Sequence, residues 1–130
     1  MALEVHVVTP EREVWTGPAT MVIARGVEGE VGVLAGHAPL LIRLAIGALR
    51  IQHDGGEQFA VVDGGFMHVV SEGEETRVDV LASSASLESE IDVQRERRRA
   101  EEMERRISEA DDAEAHKELA KALARVHLRG

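Results

Sequence analysis

Asp92, Arg95, Arg125 and Arg129 are spaced so that they can act together. Two helical apolar periods occupy the last third of the chain and meet near Asp111. Arg95 lies 16 residues before Asp111 and Arg125 lies 14 after it; Asp92 lies 19 before and Arg129 lies 18 after. At about 1.5 Å of rise per residue, each pair reaches a similar height if the helices fold back antiparallel. Arg125 and Arg129 are four apart and share a helix face. Three guanidiniums at one height make a clamp for phosphate oxygens, which planar donors bind two at a time. Asp92 would pair with an arginine or accept from a base or ribose donor. The competing reading is ordinary solvated charge, because residues 88–130 hold 22 charged side chains. Glu96 puts negative charge beside the clamp, and Arg129 stands next to the end, where helices fray.

Other chemistry is less well supported. His6, His37, His53, His68, His116 and His127 form no HxH or HExxH pattern and have no cysteine beside them. They read as surface or interface histidines; the rival is a metal-dependent enzyme using His37, His53 and His68. Gly26-x-x-Gly29-x-x-Gly32 has no Lys-Ser/Thr pair after it and serves turns rather than phosphate. No Ser-His-Asp arrangement is marked by spacing, so no catalytic site is expected.

The elements that must position the clamp differ in composition from the rest. Residues 1–87 hold eleven of the twelve glycines, all three prolines and all three aromatics, whereas Glu88–Arg129 holds none of these. The first part carries 5 basic and 12 acidic residues, and the second 10 and 12. An acidic head argues against non-specific nucleic-acid binding. Without cysteine there is no disulfide framework. The start, MALEVHVV, has no basic or long apolar leader pattern, so no signal peptide is expected. Val31–Leu49 approaches the length of a membrane span, but Gly32, Gly36, Pro39, Arg43 and Gly47 point instead to two buried strands and a turn.

Turn signals punctuate the head at Thr9-Pro10, Gly17-Pro18, Gly26–Gly29, Gly36–Pro39, Asp54-Gly55-Gly56, Asp63-Gly64-Gly65 and Glu72-Gly73. Between them, Leu49 and Ile51, then Val78 and Val80, alternate with polar residues, as in strands buried on one face. Many short strands predict a sandwich or flattened barrel. In the tail, Ala100, Met103, Ile107 and Ala110 mark one helix face, and Ala115, Leu119, Ala122, Leu123 and Val126 another. Ser89 with Asp92, and Asp111 with Glu114, resemble capping boxes. They predict antiparallel helices over roughly 91–110 and 113–128. Their apolar faces are narrow and alanine-rich, so the hairpin should dock weakly.

The run Gly29-Glu30-Val31-Gly32-Val33-Leu34-Ala35-Gly36-His37-Ala38-Pro39-Leu40-Leu41 resembles the signature of the epsilon subunits of bacterial F-type ATP synthases. Val8-Thr9-Pro10, Gly47-Ala48-Leu49, Val62-Asp63-Gly64-Gly65-Phe66 and Val78-Asp79-Val80-Leu81-Ala82 extend the resemblance over essentially the whole chain. It implies a β + α architecture: a ten-stranded-type flattened β-sandwich over 1–87, then an antiparallel two-helix hairpin over 88–130. It also implies a non-catalytic rotor-stalk protein with no required cofactor. Its sandwich would dock on the gamma subunit and the c-subunit ring, at the cytoplasmic face of the bacterial plasma membrane. The segment around Glu28–His37 corresponds to the family's loop facing the ring, with Glu28, Glu30 and His37 as contacts. The alternative for Glu30 is simple solvation.

The resemblance further implies that the hairpin folds onto the sandwich or extends toward the alpha and beta catalytic subunits, blocking ATP hydrolysis when extended. Arg98, Arg99 and Arg105, with Arg95, Arg97 and Arg106, would then face acidic partner segments. The plainer reading of these arginines is intrahelical pairing with glutamate. Several bacterial members bind regulatory ATP through an I/L-D-x-x-R-A motif and two late arginines. Ile91-Asp92-Val93-Gln94-Arg95 matches that motif except that Glu96 replaces its alanine, and Arg125 and Arg129 match the late arginines. The alternative is a coupling subunit whose tail has no nucleotide-sensing role.

Overall fold

The computed structural model describes residues 3–109 and 112–129. Eight strands come first: β1 (Leu3–Val8), β2 (Glu13–Ala19), β3 (Met21–Gly26), β4 (Gly29–Leu34), β5 (Leu40–His53), β6 (Gly56–Glu72), β7 (Glu75–Ala82) and β8 (Ala85–Leu87). A single 3₁₀ turn (Glu88–Glu90) leads into helices α1 (Val93–Glu109) and α2 (Ala113–Val126). The strands hydrogen-bond in the order β2-β1-β7-β6-β5-β3-β4, with β8 on β6. Only β1 and β7, among these pairs, run parallel.

The ten-strand expectation and the eight observed strands describe the same object. β5 has 14 residues and β6 has 17, and each serves two layers. Leu40–Leu44 of β5 pairs with Gly65–Val69 of β6, which pairs onward to β7, β1 and β2. Ile46–His53 pairs with the first part of β6 and largely with β3, and β4 and β8 flank that layer. Asp63-Gly64-Gly65 is therefore not the turn that its composition suggests. It is where β6 bends from one layer to the other, with Gly64 and Gly65 at φ 93° and 123°. A Cβ on Gly65 would lie 2.1 Å from the Leu81 carbonyl oxygen, so only glycine fits there. Gly17-Pro18 is likewise no turn but lies inside β2. β2 is an edge strand, and an edge tolerates the missing proline N–H.

The hairpin reading of Asp54-Gly55-Gly56 holds: His53 pairs with Gly56 across a two-residue loop. Val31–Leu49 holds most of β4, a turn and most of β5. Between the layers, Leu3, Val5, Val7, Val22, Leu49, Ile51, Met67, Val69, Val78 and Val80 form one buried cluster. Leu49 and Ile51 face inward while Arg50 and Gln52 are partly in water, as the alternation predicts.

Helix α1 buries Ala100 and Met103, and α2 buries Ala115 and Ala122. Both caps differ from the expected ones. Asp92 itself caps α1 by accepting from the Arg95 N–H at 3.1 Å, and Ser89 lies in the 3₁₀ turn. Asp112 caps α2 by accepting from the Glu114 and Ala115 N–H groups. Ala110 and Asp111, expected to close the α1 face and to cap α2, lie outside the described residues. Among the described residues, no helix is long and apolar enough to cross a membrane.

Candidate functional site

Strand alternation builds the seat of the hairpin. Phe59, Val61 and Asp63 lie on the outer face of β6, while Ala60 and Val62 belong to the core cluster. Val61 is fully buried without joining that cluster. The tail meets both of its neighbours: the Arg129 guanidinium sits 4.2 Å over the Phe59 ring, and Arg125 reaches Asp63.

The Asp63–Arg125 contact is the most enclosed ion pair of the described residues. Arg125 Nη2 donates to Asp63 Oδ2 at 2.6 Å, with the two side chains 13% and 3% exposed. Ser84 Oγ donates to the same oxygen at 2.5 Å, and the Asp63 N–H donates to the Ser84 carbonyl at 2.9 Å. Arg125 Nη1 donates to the Lys121 carbonyl at 3.0 Å. Asp63 Oδ1 is buried without a hydrogen-bond partner. Sequence reasoning missed Asp63 because it read as turn punctuation. The available signal was an acidic residue in phase with Phe59 and Val61 on a strand, since a buried carboxylate demands a partner.

A second pair closes the joint. Arg129 grips both Glu88 oxygens, its Nη2 at 2.7 Å from Oε1. That hydrogen bond, strengthened by charge, holds the Glu88 carboxyl below its ordinary value and raises the Arg129 guanidinium. Beside it, Arg12 donates to Glu90 at 2.7 Å, and the Leu87 N–H donates to the same carboxylate oxygen. Glu90 is lowered by Arg12 first and by the Leu87 N–H second.

The predicted clamp residues are only partly assembled. Ile91, Arg125 and Arg129 border one cleft of about 150 Å³ with Glu88, Val93, Val126 and Leu128. Asp92 caps a helix, and Arg95 is exposed and makes no ion pair among the described residues. The interhelix register also differs from the spacing argument. Arg99 meets Glu118 at 2.6 Å and Arg129 meets Glu88, so Arg129 is level with Glu88 rather than Asp92. The bond to Arg99 lowers Glu118 and raises Arg99. Of the arginines expected to face partners, Arg99 is thus engaged within the hairpin, and Arg98 and Arg105 are exposed. Arg106 is bound to Asp112 at 2.8 Å.

Glu28 and His37 do not share a loop. β4 separates them, and six residues at about 3.3 Å each span roughly 20 Å. Glu28 and Glu30 border an open groove of about 430 Å³ with Val27, Leu41 and Arg43. His37 lies in the loop before β5, where its ring Nδ1 is 2.7 Å from the Ala38 carbonyl and its own carbonyl accepts from Ser71 Oγ. Leu41, Phe66 and Leu81 are exposed at 66%, 45% and 52% on the outer face of that layer, Phe66 being paired directly with Leu81. Among the described residues, no three histidine or carboxylate side chains converge as a metal site.

Residues 2–88 match the family model described as ATP synthase, Delta/Epsilon chain, beta-sandwich domain. The chain is 44% identical to the ATP synthase epsilon chain of Thermobifida fusca over 95% of its own length and 89% of that protein. It is 37% identical to that of Bacillus pumilus, covering 98% and 97%. Among solved structures it resembles a chain of the Euglena gracilis mitochondrial ATP synthase OSCP/F1/c-ring assembly, with TM-score 0.78 and 28% identity over 97% of this chain and 79% of that one. With a family model covering the whole sandwich and relatives aligned through the hairpin, the chain belongs to the ATP synthase epsilon chains, a family of non-catalytic subunits of that complex.

Proposed function

We propose that this chain works in the rotor stalk, its sandwich joining the gamma subunit to the c-subunit ring and its hairpin restraining ATP hydrolysis when it leaves the sandwich. The observation that carries the reading is the unequal build of the molecule. A β-sandwich with an apolar core bears a hairpin that buries chiefly alanine and is tied down by ion pairs, and that leaves Arg95, Arg98 and Arg105 exposed. In the extended state those arginines would pair with acidic segments of the catalytic subunits, a contact that salt weakens. The exposed Leu41, Phe66 and Leu81, with the groove beside Glu28 and Glu30, are the surfaces proposed for gamma and the ring. The likeness to a chain of the Euglena gracilis assembly, which contains F1 and a c-ring, supports that placement. The chain would then lie at the cytoplasmic face of the bacterial plasma membrane, held there through the complex.

Truncation after Leu87 tests the restraint. The complex should still assemble, and its ATP hydrolysis should rise; unchanged hydrolysis would count against an inhibitory tail.

Nucleotide sensing is the narrower part of the reading. The cleft bordered by Ile91, Arg125 and Arg129 supports a site at the joint. The engagement of both arginines by carboxylates favours the alternative, a tail that works without nucleotide. Calorimetric titration of the full chain with ATP, repeated with Arg95→Ala and Arg125→Ala, decides between them. Absence of saturable binding at millimolar ATP would sink the sensing arm.

A further inference from the structure

We propose that Asp63 and Glu88 are built-in anions that latch the hairpin down. They engage the two arginines a nucleotide phosphate would need, so the folded state requires no ligand. The inference rests on reading the hairpin as movable, and on nothing about inhibition.

The geometry at Arg125 carries it. One end of the guanidinium is bound to Asp63 and the other to the Lys121 carbonyl. Asp63 is fixed from the sandwich side by Ser84 Oγ and by its own backbone bond to Ser84. A phosphate approaching Arg125 must therefore compete with a carboxylate that is 3% exposed and already oriented. At Arg129, Glu88 presents both oxygens to the guanidinium while Phe59 covers one of its faces. The cleft between the arginines, about 150 Å³, is below the roughly 300 Å³ at which small-molecule sites begin.

Apolar contact alone would hold the hairpin weakly. Ala115 and Ala122 are the buried residues of α2, and an alanine methyl buries little area. A helix held by so little apolar area could slide. Arg125 over Asp63 fixes its position, because a buried charge finds its partner at one register only. Asp63 also stands at the bend of β6, beside Gly64 and Gly65, where the backbone is held on both sides, by Ile46 of β5 and by the Ser84 carbonyl. The latch is thus anchored on the stiff part of the molecule.

The test measures the folded fraction of the full chain by energy transfer. The chain has no cysteine, so dyes can be placed through Asp54→Cys and Glu101→Cys, both exposed positions. Without nucleotide the parent should be mostly folded, and ATP or tripolyphosphate should not fold it further. Asp63→Asn and Arg125→Gln should each raise the open-to-folded ratio at least about tenfold, and the double variant should open no more than either alone. Glu88→Gln should act in the same direction and less strongly. Arg125→Gln guards against a sandwich that fails to fold, since it lies in the tail. A parent that is open until ATP closes it, or an Asp63→Asn chain as folded as the parent, overturns the latch. Hydrolysis by the assembled complex is a separate readout, so a chain that latches but does not inhibit leaves this inference intact.

Discussion

Val22, Leu49, Ile51 and Met67 lie out of water between the two layers, whereas the hairpin buries Ala100, Met103, Ala115, Ala122 and Leu128 and is tied down by two ion pairs. Burying a Val, Leu or Ile side chain contributes roughly 1.5–3 kcal/mol, against well under that for an alanine methyl. The two contacts also differ in kind. Apolar burial is non-directional, does not titrate and is not screened by salt. Charge pairing is directional, and outside the most buried pair it is open to both. One chain thus holds a permanent apolar joint and a charge-held one within a few residues of each other.

The largest test strikes the permanent joint. Gly65→Ala would drive its Cβ into the Leu81 carbonyl and Ala82 Cα at a φ of 123°. Several kcal/mol of destabilisation is expected, on the order of 3 or more, enough to abolish cooperative unfolding by urea. A Gly65→Ala chain as stable as the parent would mean that β6 does not bend as described. Next, Ile51→Ala should cost about 2–5 kcal/mol and lower the midpoint for the whole chain. Ala122→Gly, buried in the hairpin, should leave the sandwich midpoint unchanged while speeding amide exchange in α2. If both substitutions shift one common transition equally, the two joints are not separable.

Acid should act on the hairpin and its joint before the core. Glu88, Glu90, Glu118 and Asp112 all have carboxyls held below their ordinary values by arginine or backbone donors. A depressed folded pKa contributes stability above the unfolded value of about 4, and that contribution is lost as pH falls through the lower folded value. Exchange protection in α2 should be steady from about pH 5 to 8 as far as these groups are concerned, and should fall below about pH 4. The smallest effect expected is from Arg99→Ala. That exposed pair with Glu118 is worth about 0.2–1 kcal/mol, so helicity by circular dichroism should drop slightly and the sandwich should not respond.

The elements of this molecule were legible from local pattern where local pattern decides. Leu49 and Ile51 alternate because a sheet face is buried, and Asp54-Gly55-Gly56 turns because glycine supplies the positive φ at Gly56. Asp63-Gly64-Gly65 carries the same local signal yet lies within a strand, because pairing to β5 and β7 on either side keeps the chain going. The composition break was visible, and β8 ends at Leu87, just before the charge-rich tail begins at Glu88. Of the site, Arg125 and Arg129 were visible as charges in phase, but their partners were not. Asp63 is distant in sequence and looked like punctuation, and Glu88 precedes the helical period that drew attention to the arginines. Charge spacing along one element says which residues share a face and not which distant residue that face will meet.

β5 and β6 run unbroken through both layers of the sandwich. Mechanical load applied to one layer therefore reaches the other along two covalent ribbons, and not only through side chains that can slip. The layers should yield to force together, as one body, with the hairpin peeling away first at a lower force. A body tied in that way is stiff across its width, and the hairpin hangs on its outside.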